Sequence, residues 1–537
     1  MTLFVYRLIL SQEFFFVIII YRDTGYHCLL RGRCLNYLLK NIDKKQIIFY
    51  LVLALFCLFL ACLSTNYDYD LFARLIVGER FVEQGILPYH DFLSYTPTHN
   101  WYDHEWGSGV VFYLVLKCFK AFGILIFQAV TMFLISVFIL KIQKLQNHAY
   151  PKSLLFMCVF LGFFMHLNPV MIRCQLFSFL FFTIYLYLLE LTRHEKNKYL
   201  IWLIPIMTIV WNNLHGGVVS GLGLIAMYIA GALLEKRPWK KYLIVLVVSC
   251  ITLIVNPYGI EYLKFLFSAT TKQRTYVVEW WPFYAFRHIA YYTPSVIYSL
   301  LGIVAYAIAV IKKRKIDYTK AFVLTTTLIL GAMHVKLLSL AIISTAAFCY
   351  NDIVNLFKRI AYVLKKIEKN LYLAIVVLSF LIPFSSPMLP RADFEKYPFY
   401  EIEFLKINNI KGNIVTPFGM GSYATYKLYP DNLVFMDGRY EEVYDDYIFD
   451  TLRNFELVNM NWEDIFTKYP TDILMPRKNS DVYGALLKHP AWTLIFDGKL
   501  CGIFVRKGTE KFSYFEPEYG INYYRETMFK HGDFLND

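Results

Sequence analysis

Apolar runs of roughly 15–20 residues, separated by short polar loops, fill most of this chain, and only its last third departs from that pattern. Such runs predict membrane-spanning helices, because a bilayer core about 30 Å thick takes about 20 apolar residues to cross. About eleven spans are expected: 46–63, 122–140, 153–167, 172–191, 199–212, 217–234, 241–255, 293–312, 320–334, 336–350 and 371–386. Val110–Phe119 is apolar but short and reads as a helix lying on, or dipping into, the membrane surface. Leu3–Tyr21 is interrupted by Arg7 and Glu13 and lacks a small-residue cleavage site. Residues 1–45 therefore read as an extension and not as a signal peptide.

The basic residues give these runs a direction. Lys44/Lys45, Lys141/Lys144/Lys152, Arg193/Lys196/Lys198, Lys236/Arg237/Lys240/Lys241, Lys312/Lys313/Arg314/Lys315 and Lys358/Arg359/Lys365/Lys366/Lys369 all fall on one side, which should be the cytoplasm. The other face receives 64–107, 166–173, 211–217, 256–292, 334–336 and everything after Phe384. The expectation is a multi-pass protein of the inner (plasma) membrane, with a cytoplasmic N-terminus.

From about Pro387 short elements alternate. Asn413–Thr416, Leu433–Met436, Asp472–Leu474, Trp492–Phe496 and Cys501–Arg506 read as strands. Glu401–Asn408, Tyr423–Leu428, Tyr447–Phe455 and Val482–Lys488 read as helices. The fold class is thus an all-α polytopic membrane module, 46–386, with a large first outer loop, 64–107, and a C-terminal extracytoplasmic α/β domain, 387–537.

Composition agrees: 57% of residues are hydrophobic and only 18% charged, with a mean hydropathy of +0.42. The net charge of +13 does not point to nucleic acid, because the basic residues sit in short loops where they set topology. Ten cysteines show no metal-ligand spacing. Cys57, Cys62, Cys158, Cys250 and Cys349 lie in apolar runs, and the C-terminal region holds only Cys501.

Candidate chemistry gathers on the outer face. In the first loop, Leu71, Leu75, Phe81 and Val82 fit a helix lying on the membrane, ended by Gly85 and Pro88. Asp70 starts it, either as a cap or as a general base at the mouth of a cavity. Asp68, Asp91 and Glu105 are the other carboxylates able to take a proton. Trp101-Tyr-Asp-His-Glu-Trp106 is not H-E-x-x-H, so a zinc-protease reading fails. His104 and Glu105 can contact a diphosphate or sugar, position a divalent metal, or pack the loop, and no metal site is assigned.

Arg173 and Gln175 stand at the outer start of a span. A phosphate suits the forked guanidinium there, and the alternatives are snorkelling or pairing with a loop acid. Asn213 and His215, in Trp-Asn-Asn-Leu-His-Gly-Gly, face the same mouth, and Lys336 adds a further cation. Asp437 and Arg439, after a strand, can touch an acceptor or pair with each other to fix a turn.

Asp-Leu-Phe-Ala-Arg-Leu-Ile-Val-Gly-Glu, Gly-Ile-Leu-Pro-Tyr-His-Asp-Phe-Leu-Ser-Tyr-Thr and His-Glu-Trp resemble bacterial membrane proteins of the GT-C glycosyltransferase superfamily. The wider group includes the dolichyl-phosphate-mannose protein mannosyltransferases and the aminoarabinose transferases. Arg-Cys-Gln-Leu-Phe-Ser, Asn-Pro-Tyr-Gly and Phe-Met-Asp-Gly-Arg-Tyr extend the likeness over most of residues 46–506. The resemblance implies transfer of a sugar from a polyprenyl-phosphate carrier to a glycan, lipid or protein acceptor of the cell envelope. Asp70 occupies the place of the acidic residue that activates the acceptor. The Asp-Glu pair of the mannosyltransferases is absent, since Leu71 follows Asp70. A lipid-linked glycan flippase and a non-catalytic assembly protein are the competing classes. Inverted repeats and midplane charges, the marks of transporters, are not visible.

Overall fold

The computed structural model describes residues 44–64, 67–147, 153–168, 172–271, 274, 277–285, 287–357, 370–379 and 396–509. The expected extension, apart from its last two residues, lies outside them. So do Lys152, the cluster Lys358/Arg359/Lys365/Lys366/Lys369 and the boundary at Pro387. The chain forms two compact units, Met1–Leu53 and Ala54–Asp537. The first is described only as the opening turns of helix α1 (Lys44–Leu63); everything below concerns the second.

Over its described residues, each expected span overlaps a helix. After α1 and the loop helix α2 (Tyr69–Gln84) come α3 (Trp106–Asn147), α4 (Leu154–Leu167), α5 (Gln175–Arg193), α6 (Leu203–Leu214, entered by a 3-10 turn at Leu200–Trp202), α7 (Val218–Leu234), α8 (Lys240–Thr252), α9 (Gly259–Thr271), α10 (Ile289–Lys313), α11 (Tyr318–Met333), α12 (Leu338–Leu356) and α13 (Asn370–Ser379). Among the described residues five helical segments are long and apolar enough to cross a membrane: Lys44–Leu63, Trp106–Gln146, Gln175–Arg193, Ile289–Lys313 and Val335–Leu356. The others are shorter apolar rods. Val110–Phe119 is helical, as expected. It forms the first limb of α3, separated from the second by a backbone break at Lys120 (φ 57°, ψ −159°).

That limb packs on α2 backbone to backbone. A Cβ on Gly78 would collide with the Gly109 carbonyl, and one on Gly109 with the Arg74 carbonyl. Larger residues would force the two helices apart, so glycine at both positions sets their separation.

The C-terminal region carries a four-stranded sheet: β1 (Ile414–Val415), β2 (Ile473–Leu474), β3 (Trp492–Asp497) and β4 (Gly502–Arg506), in the order β1-β2-β4-β3. β1 and β2 are parallel, and the other two pairings are antiparallel. Leu433–Met436 is not a strand. Only Val434 bridges, to Ser94 and to Ile414, so this segment splices the first loop onto the sheet edge. Four helices expected from the sequence are found at Phe399–Ile407, Gly421–Leu428, Asp446–Glu456 and Asp481–Leu487.

The apolar stripe of α2 turns away from lipid. Leu71, Phe72 and Leu75 are buried in one core with Tyr397, Met420 and Tyr423. The Phe72 and Tyr423 rings meet edge-on at 5.0 Å. Ile76, Val77, Leu93 and Trp101 join a second core with Phe435, Tyr440 and Tyr444. The first loop and the C-terminal region are therefore packed as one body.

Candidate functional site

α2 begins with an Asp-Tyr-Asp step whose two carboxylates do different things. Asp68 is the cap, its side chain accepting the Asp70 amide at 3.1 Å. Asp70 sits in the first turn and is exposed. Its carboxylate has no hydrogen-bond or ion-pair partner among the described residues. Gly438 passes beside it, where a Cβ would lie 3.1 Å from Asp70 Oδ1. Open to solvent yet walled by protein, Asp70 lines a crevice. Lost hydration and the neighbouring Asp68 carboxylate raise its pKa; Arg173 opposes them, and Glu279 and Glu105 add to the rise, leaving it at about 7.

Arg173 closes one side of the crevice. Its Nη2 meets Asp68 Oδ2 at 2.6 Å and its Nη1 bonds Glu279. The alternative of a loop-acid partner is realised twice over. Burial would raise Glu279, but the Arg173 and Lys336 charges outweigh it and hold Glu279 below the usual carboxylate range. Lys336 lies 5.5 Å from the centre of the Trp280 ring. Among the described residues it has no carboxylate within ion-pair distance. Gln175 is half-buried at the first turn of α5.

On the other side lies an acidic cluster built on a residue that sequence reasoning passed over. Arg74, one turn after Asp70 and only 3% exposed, bonds Asp103, meets Glu442 at 2.9 Å and Glu105 at 3.3 Å. His104 Nδ1 is 3.4 Å from Glu442 and its Nε2 3.7 Å from Glu105. Trp101 donates to Glu442 at 2.9 Å. Burial would raise Glu105; His104 and Arg74 lead the charges that hold it well below the ordinary range. Burial raises Glu442 in spite of Arg74 and His104.

His215 completes the cluster through the turn between α6 and α7. Its Nδ1 accepts the Gly217 amide at 2.9 Å and stands 2.7 Å from Ser178 Oγ, which itself accepts from Trp211 at 2.7 Å. With Nδ1 an acceptor, Nε2 carries the proton and faces Glu105 Oε1 at 3.3 Å. Desolvation, resisted by Glu105, brings the His215 pKa down to about 3, so the ring is neutral.

Three of the expected residues stand apart from this group. Asp91 and Asp437 clamp Arg439, at 2.5 Å and 2.8 Å, with Tyr444 and Ser94 as further acceptors at 3.1 Å and 3.2 Å. The guanidinium is fully buried over Trp101. Burial would raise Asp91; Arg439 overrides it and lowers it. Asp437 and Arg439 thus pair to fix a turn, and Asp91 joins them. Asn213 is saturated: Oδ1 accepts from Trp106 at 3.0 Å and Asn256 at 3.2 Å, and Nδ2 donates to two carbonyls. It borders an apolar groove of about 670 Å³ lined by Phe81, Trp106, Val110, Ile209, Leu214 and Pro257.

Donor atoms of Asp103, His104 and Glu442 lie within 4.8 Å of one another. Asp103 Oδ2 and His104 Nδ1 are buried without a hydrogen-bond partner. Three carboxylates against one guanidinium leave an excess of negative charge, so this donor set fits a divalent cation.

Two signals for the missed residues differ in kind. Arg74 is a cation inside an otherwise apolar helical stretch, four residues from Asp70, and that much is legible in the sequence. Glu442 is 368 residues from Arg74 and nothing local marks it.

No protein-family model matches the chain, and no curated protein does. Solved structures do. An archaeal oligosaccharyltransferase, AglB from Archaeoglobus fulgidus, in complex with an inhibitory peptide and a dolichol-phosphate, aligns with a TM-score of 0.50 and 8% identity. It covers 81% of this chain and 70% of its own. The Archaeoglobus fulgidus enzyme tethered to an acceptor peptide aligns with the same score and identity, covering 80% and 69%. The chain therefore shares the fold of this oligosaccharyltransferase over 81% of its length.

Proposed function

We propose that this chain is a membrane glycosyltransferase that moves a sugar from a polyprenyl-phosphate carrier to a cell-envelope acceptor on the extracytoplasmic face. The observation that carries the reading is Asp70. It is an unpartnered carboxylate near neutrality, in a crevice at the membrane-proximal end of the first loop, on a fold shared with an enzyme solved with a dolichol-phosphate.

The acceptor hydroxyl oxygen attacks the anomeric carbon in line. The bond from that carbon to the carrier phosphate breaks, and the configuration inverts. The hydroxyl proton passes to Asp70, and the phosphate leaves on the carrier. Lys336, without a carboxylate partner among the described residues and with its charge felt by Glu279 and Glu105, would receive the developing phosphate charge. Arg173 holds Asp68 and Glu279 around the crevice, and its own charge moderates the rise of the Asp70 pKa that burial and the neighbouring carboxylates cause. His215, neutral, and His104 orient Glu105. Asp91 serves structure. A divalent cation on Asp103, His104 and Glu442 would supply further positive charge for a phosphate. The apolar groove, one residue from both Glu105 and His215 in sequence, suits a prenyl chain.

The test is thermal unfolding in detergent with and without a synthetic polyprenyl-phosphate hexose, for wild type and Asp70→Asn. Release of carrier phosphate is then measured with a cell-envelope extract supplying acceptor. The expected result is stabilisation of both proteins and release by wild type alone. Lack of stabilisation by a panel of carriers would favour a transport or assembly protein. Equal release by both would move the base to Glu105 or Asp68.

A further inference from the structure

A second polar cavity lies at the opposite end of α5 from Arg173. That helix has 19 residues, so its ends are about 28 Å apart, close to the thickness of a bilayer core. The cavity encloses about 210 Å³, and its lining includes Arg193, Lys198, Tyr228, Glu235, Arg237 and Lys241. It is outside the site described above and takes no part in the proposed transfer.

Its charges divide into a neutralised side and a bare one. Arg193 is matched by Asp317 at 2.7 Å, Glu235 at 3.2 Å and the buried Glu190 at 3.5 Å. Tyr228 donates to Glu190 at 2.8 Å. On the bare side, neither Lys198 nor Lys241 has a carboxylate partner among the described residues. Lys241 donates to the Lys198 carbonyl, which ties one cation to the backbone of the other. Arg237, 47% exposed, belongs to the neutralised side through Glu235 at 3.6 Å. Two ammonium groups without carboxylate partners among the described residues thus border the cavity, whose lining carries Arg193, Lys198, Arg237 and Lys241 against Glu195 and Glu235 and so has an excess of positive charge. The Tyr199 ring, 73% exposed, lies 5.7 Å from Lys241 Nζ, and Trp202, three residues on, is 42% exposed. Both side-chain types settle at the headgroup level of a bilayer.

We propose that this cavity binds a phosphate group, presented by the headgroup of an anionic phospholipid. Ammonium and guanidinium donors suit phosphate oxygens. Basic pockets between membrane helices take anionic headgroups.

The test uses the full chain, purified in detergent with phosphatidylcholine. Binding of phosphatidylglycerol is measured by native mass spectrometry and by the unfolding midpoint, with inorganic phosphate as a separate arm. The triple variant Lys198→Gln/Arg237→Gln/Lys241→Gln should keep the wild-type midpoint in phosphatidylcholine. It should bind phosphatidylglycerol about a hundredfold more weakly, about fivefold for each cation removed. Inorganic phosphate that binds wild type as well as lipid does, and not the variant, would assign the same cavity to a soluble phosphate. An absence of binding by either ligand overturns the proposal. So does an equal loss in the control Lys312→Gln/Lys313→Gln/Lys315→Gln, which removes three exposed charges elsewhere.

Discussion

Asp68 and Asp70 are two residues apart and chemically unlike. The first spends its oxygens on a helix amide and on Arg173; the second keeps them free. A carboxyl raised to about 7 in the folded chain binds more protons there than in the unfolded chain, where it titrates near 4. Its contribution is therefore favourable in acid and is lost as pH rises from about 4 through about 7. Asp70→Asn removes the charge, so its unfolding midpoint should climb relative to wild type across that window. The transfer rate of wild type should rise with pH through about 7, and Asp70→Asn should lower it by about 10²–10⁴-fold. A pH-independent difference in midpoint would argue that Asp70 is not raised. Arg439 gives a different residue-scale prediction. Replacing it by Leu strands two buried carboxylates, Asp91 and Asp437, and should cost about 3–5 kcal/mol in denaturant unfolding.

At the scale of elements, the two glycines between α2 and the first limb of α3 matter most. Arg74 sits on one of these helices, and Asp103 and Glu105 lie just before the other. The spacing of Gly78 and Gly109 therefore sets the Arg74 ion pairs. Gly109→Ala should cost about 1–3 kcal/mol by overpacking and reduce turnover beyond what lost stability explains. The measurement is activity normalised to folded fraction. An Ala variant with wild-type turnover would show that the cluster tolerates a wider crossing.

This element scale is also where the sequence is most and least readable. The stop of α2 at Gly85, in the left-handed region at φ 70°, and the starts and ends of the apolar helices follow from local residue types. The destination of the α2 stripe does not. Leu71 and Leu75 look the same whether they face lipid or the rings of Tyr397 and Tyr423, and only the tertiary partner decides. Likewise Leu433–Met436 has strand residues, but its backbone bonds are divided between the first loop and the sheet edge, which leaves a bridge at Val434. Within the site, His104, Glu105 and His215 are legible as neighbours only so far as the first loop and the end of the span 199–212 fall on one expected face. Glu442 is not, since its place depends on a contact across most of the chain.

For the whole molecule, the proposed function requires the basic helix ends to lie in the cytoplasm and the Asp70 crevice on the other side, as the positive-inside rule predicts. A single cysteine placed at Asn461 should react with a membrane-impermeant maleimide in intact cells. One at Lys313 should react only after the cells are opened. Both are made with the exposed Cys118 and Cys250 replaced by Ser. The reverse labelling would invert the topology and move the proposed chemistry to the cytoplasm.

The shared packing of α2 with the C-terminal region also sets a schedule. Arg74 is made early, and the carboxylate of Glu442 that meets it is made 368 residues later. A nascent chain holding every helix up to α13 still lacks Glu442, Tyr423 and the turn of Asp437–Arg439 that passes Asp70. The crevice is assembled last, so a chain interrupted before then holds an Arg74 lacking one of its three carboxylates and leaves the apolar stripe of Leu71, Phe72 and Leu75 without its Tyr423 partner.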